Sequence, residues 1–270
     1  MRLMTYNILT GGRDAPNEGE AIAPPRDRLA TVCELIRSAQ PDLLVLQECN
    51  GFELDGFRTL YGVEREIGMR GVLAQAQSGF HVALFVRDGR IITSHSLQRQ
   101  FQHAVVAATV EVGSTRLGIV GAHLCPFSSD ARLLEVHHAL RFVRQPNVFV
   151  VGDLNSLSPH DAASYTPDQW LPRRRTRHLL AGTSALDTRA IAALEQSDLV
   201  DTYRARHPAA APLPTCLTRL VSGWESYQVR IDYIFASSAI AGRVTRHERM
   251  DGALVDAASD HHPLFIDVEL

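Results

Sequence analysis

Apolar residues in this chain come in short bursts. Leu43 to Leu46, Val82 to Val86, Leu117 to Val120, Val148 to Val151, Ile231 to Phe235 and Leu264 to Val268 are each four or five residues long and rich in valine and isoleucine. Runs of that length and composition suit buried strands and are too short for buried helices. The chain also opens on a strand-like stretch, Arg2 to Ile8. Helical periodicity is confined to two segments. Residues 27 to 39 place Leu29, Val32, Cys33 and Ile36 on one face, and residues 130 to 143 do the same with Leu133, Val136, Leu140 and Val143. His137, beside the second face, is expected to pack there. Strands outnumber helices and alternate with them irregularly, which predicts sheets packed face to face with helices outside, an α+β arrangement and not a strictly alternating barrel.

No repeat, flexible linker or change of composition divides the 270 residues, so one domain over 1–270 is expected. The least regular stretch, about 156–189, carries Pro159, Pro167, Pro172 and the cluster Arg173, Arg174, Arg175, Arg177, and reads as a loop insertion, functional or mobile. No apolar run approaches the ~18 residues of a membrane span, and the start lacks the pattern of a signal peptide, so a cytoplasmic protein is the expectation. The four cysteines are far apart with no C-x-x-C pair and read as core thiols. All 27 basic residues are arginine, which removes Schiff-base lysines and a P-loop lysine at once. Against 30 acids they leave a net charge of -3, so a surface built wholly for polyanions is excluded while a local arginine patch is not.

The chemistry lies in what ends the apolar runs. One run leads to Glu48, another to His123, a third to Gly152-Asp153-Leu154-Asn155, while Asn7 closes the first strand, Asp232 lies in another, and Asp260-His261-His262 precedes the last. Acids, amides and imidazoles gathered at strand ends cost several kcal/mol each if buried unpaired, so a metal or a shared hydrogen-bond network should hold them. Asp153 and Asn155, two apart, can bind one water, the acid as base and the amide as orienting group. Gly152 suits a strand exit that another group approaches closely. Glu48, Asp260 and Asn7 offer hard oxygen donors suited to Mg²⁺ or Mn²⁺.

Thr5-Tyr6-Asn7-Ile8, Gln47-Glu48, Ala122-His123-Leu124, Gly152-Asp153-Leu154-Asn155, Arg230-Ile231-Asp232-Tyr233 and Ser259-Asp260-His261 stand in the order and spacing of a known set of motifs, and together the chain resembles the endonuclease/exonuclease/phosphatase superfamily. Leu199-Val200-Asp201-Thr202-Tyr203-Arg204 is similar to its exonuclease III branch. The resemblance implies a deoxyribonuclease-I-like four-layer α/β/β/α sandwich of two mainly antiparallel sheets. It implies Glu48 as principal metal ligand with Asn7 and Asp260, Asp153 as the group that activates water, Asn155 beside it, His261 on the scissile phosphate with Asp232 behind it, and His123 facing them as phosphate ligand or acid. His262 takes the variable place of its motif. His81 falls near a polar residue that supports the second histidine in relatives.

Two departures, Cys49-Asn50 after Gln47-Glu48 and a histidine at 123 where the abasic-site branch uses tyrosine, pull the reading away from abasic endonucleases. The expected activity is metal-dependent hydrolysis of a phosphoester by in-line attack of water, most simply a phosphodiesterase or nuclease with Arg173, Arg174 and Arg175 following a backbone. A phosphatase or phospholipase C-type hydrolase of a small or lipid phosphoester is the alternative, and an inactive binding module of the same fold the third reading. The Gly-Asn-His block of dinuclear metallophosphatases is missing. No obligate protein partner is implied.

Overall fold

Each of the six apolar runs becomes the body of a strand. The computed structural model describes residues 1–13 and 27–270. The strands are β1 (Arg2–Asn7), β2 (Leu43–Gln47), β3 (Arg70–Ala74), β4 (Val82–Val86), β5 (Arg90–Leu97), β6 (Val105–Val112), β7 (Thr115–His123), β8 (Val148–Asp153), β9 (Leu199–Asp201), β10 (Asp232–Ser237), β11 (Val244–Arg249) and β12 (Leu264–Val268). They form two six-stranded sheets, β11-β12-β1-β2-β4-β3 and β5-β6-β7-β8-β10-β9. Among the described residues only β1–β2 and β7–β8 pair in parallel, and each such pair occupies the middle of its sheet. The other pairings are antiparallel.

The central strands read as unbroken apolar runs because both of their faces are covered. In β2, Leu43 and Val45 join the core between the sheets, meeting Val106, Ile119, Phe149 and Val151. Leu44 and Leu46 point the other way, into a layer with Val32 and Ile36 of helix Leu29–Ala39, Val63 of helix Leu54–Ile67 and Val255 of helix Ala253–Ala258. The outer face of the second sheet is covered likewise by helices Ser129–Ala139 and Arg189–Glu195. The result has the face-to-face sheets with helices outside expected from the run pattern, and is the four-layer sandwich that the resemblance implies. Gly121 of β7 marks where the sheets approach closely, since a Cβ there would meet Cγ1 of Val45 at 2.7 Å.

Three expectations need correction. The 156–189 stretch is no loose loop: it contains 3-10 turns Ala162–Ser164 and Pro167–Gln169 and helix Pro172–Arg177. Its Leu157 and Trp170 build a satellite core with Cys216, Leu217, Tyr227 and Val229, and its Asp161 is fully buried against Arg230 (2.7 Å) and Arg204. The second amphipathic helix also runs differently. It spans Ser129–Ala139 and buries Arg132, Glu135, Val136 and Ala139, while Leu134 is 58% exposed. Glu135 accepts hydrogen bonds from the backbone N–H groups of Gln102 (2.6 Å) and Cys125 (2.7 Å), and Arg132 donates to the Cys125 carbonyl (3.0 Å). This charged face, invisible to an apolar-period count, turns His137 outward to solvent.

All four cysteines are buried and free. Among the described residues no helix is long and apolar enough to cross a membrane.

Candidate active site

Parallel pairing brings strand ends together. In the first sheet Asn7, the last residue of β1, pairs with Gln47, the last of β2, so Glu48 follows directly at that edge. In the second, His123 at the end of β7 pairs with Asp153 at the end of β8, and Asp153 pairs on its other side with Asp232 at the start of β10. The two edges meet at the Asn7 amide. Its Nδ2 donates to Glu48 Oε1 of its own sheet and to Asp153 Oδ2 of the other, at 3.1 Å each. Gly152 permits this convergence: its φ is +140°, and a Cβ would come within 2.0 Å of the Ala122 carbonyl oxygen.

Around Asp153 Oδ2 lie His123 Nε2 at 3.4 Å and His261 Nε2 at 3.9 Å. Asp232 Oδ2 holds His261 Nδ1 at 2.8 Å. Ser259 ties the loop before β12 to β1 through a 2.7 Å bond from Oγ to the Asn7 carbonyl. Asn155 adopts a positive φ of 48°, donates its backbone N–H to Asp153 Oδ1 at 2.9 Å and donates its Nδ2 to the Leu124 carbonyl at 3.0 Å. Glu48, His123, Asp153, Asn155, Asp260 and His261 line a cavity of about 250 Å³.

Burial sets the protonation states. Loss of solvent, reinforced by the neighbouring Asp232 charge, pushes the Asp153 carboxyl up to about 8. Burial alone would lower His261, but the Asp232 carboxylate and Cys216 outweigh it and hold the imidazole well above its ordinary value, as a cation. His123 goes the opposite way, driven well below its ordinary value by burial and then by His103 and His261. Its Nδ1 is buried without a hydrogen-bond partner.

Glu48 is raised by burial and next by the charge of Asp260. Among the described residues neither carboxylate forms a salt bridge with an arginine. Two adjoining hard-oxygen donors in that state are what a divalent cation neutralises, so this donor set fits one. Asn7 stands between these donors and the second sheet. Its Oδ1 accepts from the Leu9 N–H at 3.0 Å and its Nδ2 faces the carboxylates, which makes it a brace for Glu48 and Asp153.

The remaining sequence-derived candidates divide. Helix Pro172–Arg177 turns Arg173, Arg174 and Arg177 to the cavity, and Arg174 and Arg177 lie over the rings of Tyr227 (4.9 Å) and Phe127 (5.9 Å). Arg175 faces away, paired with Asp168 at 3.1 Å, because two steps on a helix turn it by about 200° from Arg173 and, in the other direction, from Arg177. His81 is also outside the cavity: its Nδ1 accepts from the Ala76 N–H at 2.9 Å and its Nε2 lies 2.8 Å from Glu53. The group beside His123 is instead His103, ring centroids 4.2 Å apart, with Ser78 Oγ 2.8 Å from His103 Nδ1. Burial brings His103 down to about 4. Its one sequence signal is its place just before the apolar run that opens β6, the place His261 holds before β12.

The family model described as Endonuclease/Exonuclease/phosphatase family matches residues 4–261. A search of curated protein sequences finds no match. Solved structures with a similar fold include an AP endonuclease from Archaeoglobus fulgidus (17% identity, all of both chains covered, TM-score 0.68). The 3′ phosphatase NExo from Neisseria bound to product DNA hairpin is similar over the full length of both chains at 20% identity and a TM-score of 0.65. The AP endonuclease LMAP from Leishmania major is similar at 16% identity over 98% of this chain and 86% of that one, with a TM-score of 0.67. The chain belongs to the endonuclease/exonuclease/phosphatase family of phosphoester-cleaving enzymes.

Proposed function

We propose that this enzyme is a divalent-metal-dependent phosphodiesterase that cleaves nucleic-acid strands. The observation that carries the reading is the convergence of Asn7, His123 and His261 on one oxygen of Asp153, beside a cavity that Glu48, Asp260 and three arginines also line. Glu48 and Asp260 would hold the ion, with Asn7 keeping the Glu48 carboxylate in place. When bound, Mg²⁺ or Mn²⁺ supplies charge neutralisation at a phosphate oxygen.

The protein's own groups supply the rest. Asp153, raised to about 8, exchanges protons near neutrality and takes the proton of the attacking water. Asn155 fixes the turn beside it. Cationic His261, steadied by Asp232, donates to the phosphate and protonates the departing oxygen. Neutral His123 contacts a phosphate oxygen through Nε2. Arg173, Arg174 and Arg177 engage neighbouring phosphates of the strand, and Phe80 and Phe127 offer faces on which bases stack. The DNA hairpin named with the structurally similar Neisseria enzyme supports this substrate class.

Phe127, 62% exposed at the cavity, also favours a second reading, a lipid or small phosphoester lying against that ring. The test is a panel of single-stranded DNA, duplex, RNA, a lipid phosphodiester and bis-p-nitrophenyl phosphate, assayed with Mg²⁺, Mn²⁺ or chelator over a range of salt. Strand cleavage that needs the metal and falls steeply with salt is expected. Turnover of the small or lipid substrates with no cleavage of DNA or RNA at low salt rules out the nuclease reading.

A further inference from the structure

We propose that the cavity holds a second, thiophilic metal site formed by Cys216, Asp260 and His261, which takes Zn²⁺ in preference to Mg²⁺. One potential ligand atom from each of the three residues lies within 4.8 Å of the others. All three line the cavity, so an ion reaches them from solvent.

The backbone builds this set. Cys216 forms an antiparallel bridge with His261 on one side and with Val229 on the other. The bonds His262 N–H to Thr215 carbonyl (2.8 Å), Thr218 N–H to Asp260 carbonyl (2.9 Å) and Thr218 Oγ1 to Ser259 carbonyl (2.5 Å) hold the segment 215–218 beside 259–262. Cys216, 4% exposed, therefore cannot swing away from the acid and the imidazole. Asp232 on His261 Nδ1 fixes the ring, the support a metal-bound imidazole ordinarily has.

A sulfur, a nitrogen and an oxygen are the donors of an open tetrahedral zinc site, with water in the fourth place. Mg²⁺, which demands oxygen ligands, has no use for the thiol. Binding forms Zn–S, Zn–N and Zn–O bonds, and the thiol and imidazolium protons leave to solvent, with no change of oxidation state. Cys33, Cys49 and Cys125 belong to no comparable group among the described residues.

Binding at this set stands on geometry alone. Its consequence rests on the function proposed above: Zn²⁺ would occupy Asp260 and His261 and so stop Mg²⁺-supported turnover. The binding test uses Co²⁺ as a coloured stand-in. One equivalent should give a thiolate-to-cobalt charge-transfer band in the near ultraviolet that Zn²⁺ abolishes. The band should vanish in Cys216→Ser and Cys216→Ala and persist in Cys125→Ser. No band in the wild type, or a band that survives both Cys216 substitutions, overturns the site. If urea midpoints show both variants unfolded, iodoacetamide labelling of the native protein read by mass spectrometry replaces them: Zn²⁺ should block alkylation of Cys216, and labelling unaffected by Zn²⁺ overturns the proposal. For inhibition, the Zn²⁺ concentration that halves each variant's own rate should rise roughly 100-fold when the thiol is removed. The cobalt band with no inhibition by Zn²⁺ keeps the site and overturns the roles given to Asp260 and His261.

Discussion

Asp153 and Asp232 face each other across β8 and β10 as register partners, yet their surroundings separate them. Asp232 holds His261 Nδ1 at 2.8 Å, whereas Asp153 opens to the cavity and carries the raised proton affinity that the charge of Asp232 helps create. In the proposed mechanism Asp232 holds the proton donor and Asp153 is the proton acceptor, so a change at Asp232 reaches both groups.

Asp232→Asn should therefore move both limbs of the pH–rate profile. It removes a charge that raises Asp153, so the acid limb shifts to lower pH. It also removes the partner that holds His261 protonated, so the alkaline limb shifts the same way. The rate at the optimum should fall roughly 10–100-fold, as for other acids that orient a histidine. Profiles measured at fixed Mg²⁺ check this, and an alkaline limb left in place would separate Asp232 from the state of His261.

Asp153→Asn keeps the shape and removes the proton acceptor. Turnover should drop by roughly 10²–10⁴ with strand binding largely kept, measured as kcat against the dissociation constant in Ca²⁺. Retention of full metal-dependent activity would contradict the assignment.

The arginine helix separates by phase. Arg177→Ala should weaken strand binding by about 1.5–3 kcal/mol if it contacts phosphate, and flatten the salt dependence by about one unit of slope. Arg175→Ala, which loses only a partner at Asp168, should stay within about twofold. Binding isotherms at several salt concentrations decide between them.

Two buried imidazoles set the acid limit of the fold. Burial lowers His178 and His247 to about 3. In the unfolded chain they titrate near ~6.5, so between those values the unfolded state binds protons that the native state refuses. Stability is then complete above pH ~6.5 and declines as pH falls, with roughly 2–3 kcal/mol lost between pH 7.5 and 5.5 from the two together. Asp153, His103 and His123 titrate over the same range, so urea midpoints of the wild type are compared with those of His247→Gln at both pH values, and a difference between the two proteins that does not change with pH counts against neutral burial of His247.

Glu135 and Leu134 reverse the usual expectation for a helix. Glu135→Leu strands the N–H groups of Gln102 and Cys125 and should cost about 2–4 kcal/mol, while Leu134→Glu on the exposed face should stay within ~0.5 kcal/mol. Thermal melts of the two variants make the comparison.

The contrast also explains what was legible in the chain. Strands covered on both faces, such as β2 and β8, write themselves as apolar runs, and the polar residues that end them lead to Asn7, Glu48, His123 and Asp153. β5 was illegible because nearly all of its residues are exposed or half-exposed, which leaves no pattern to count. Helix Ser129–Ala139 misled because its buried side satisfies backbone groups with Arg132 and Glu135. His103 lacks the flanking acid that made His261 conspicuous, and Arg177 could be told from Arg175 only once the turn of the helix was known.

The Asn7 amide spans from Glu48 in one sheet to Asp153 in the other, at equal distances of 3.1 Å. It acts as a gauge of how the two halves of the sandwich are aligned. A substitution deep between the sheets, for instance at Gly121 against Val45, would slide one half past the other and register at this amide first. In the proposed mechanism such a shift would reach Asp153 and Glu48 through Asn7, so packing far from the cavity would tune turnover without altering any group that meets substrate.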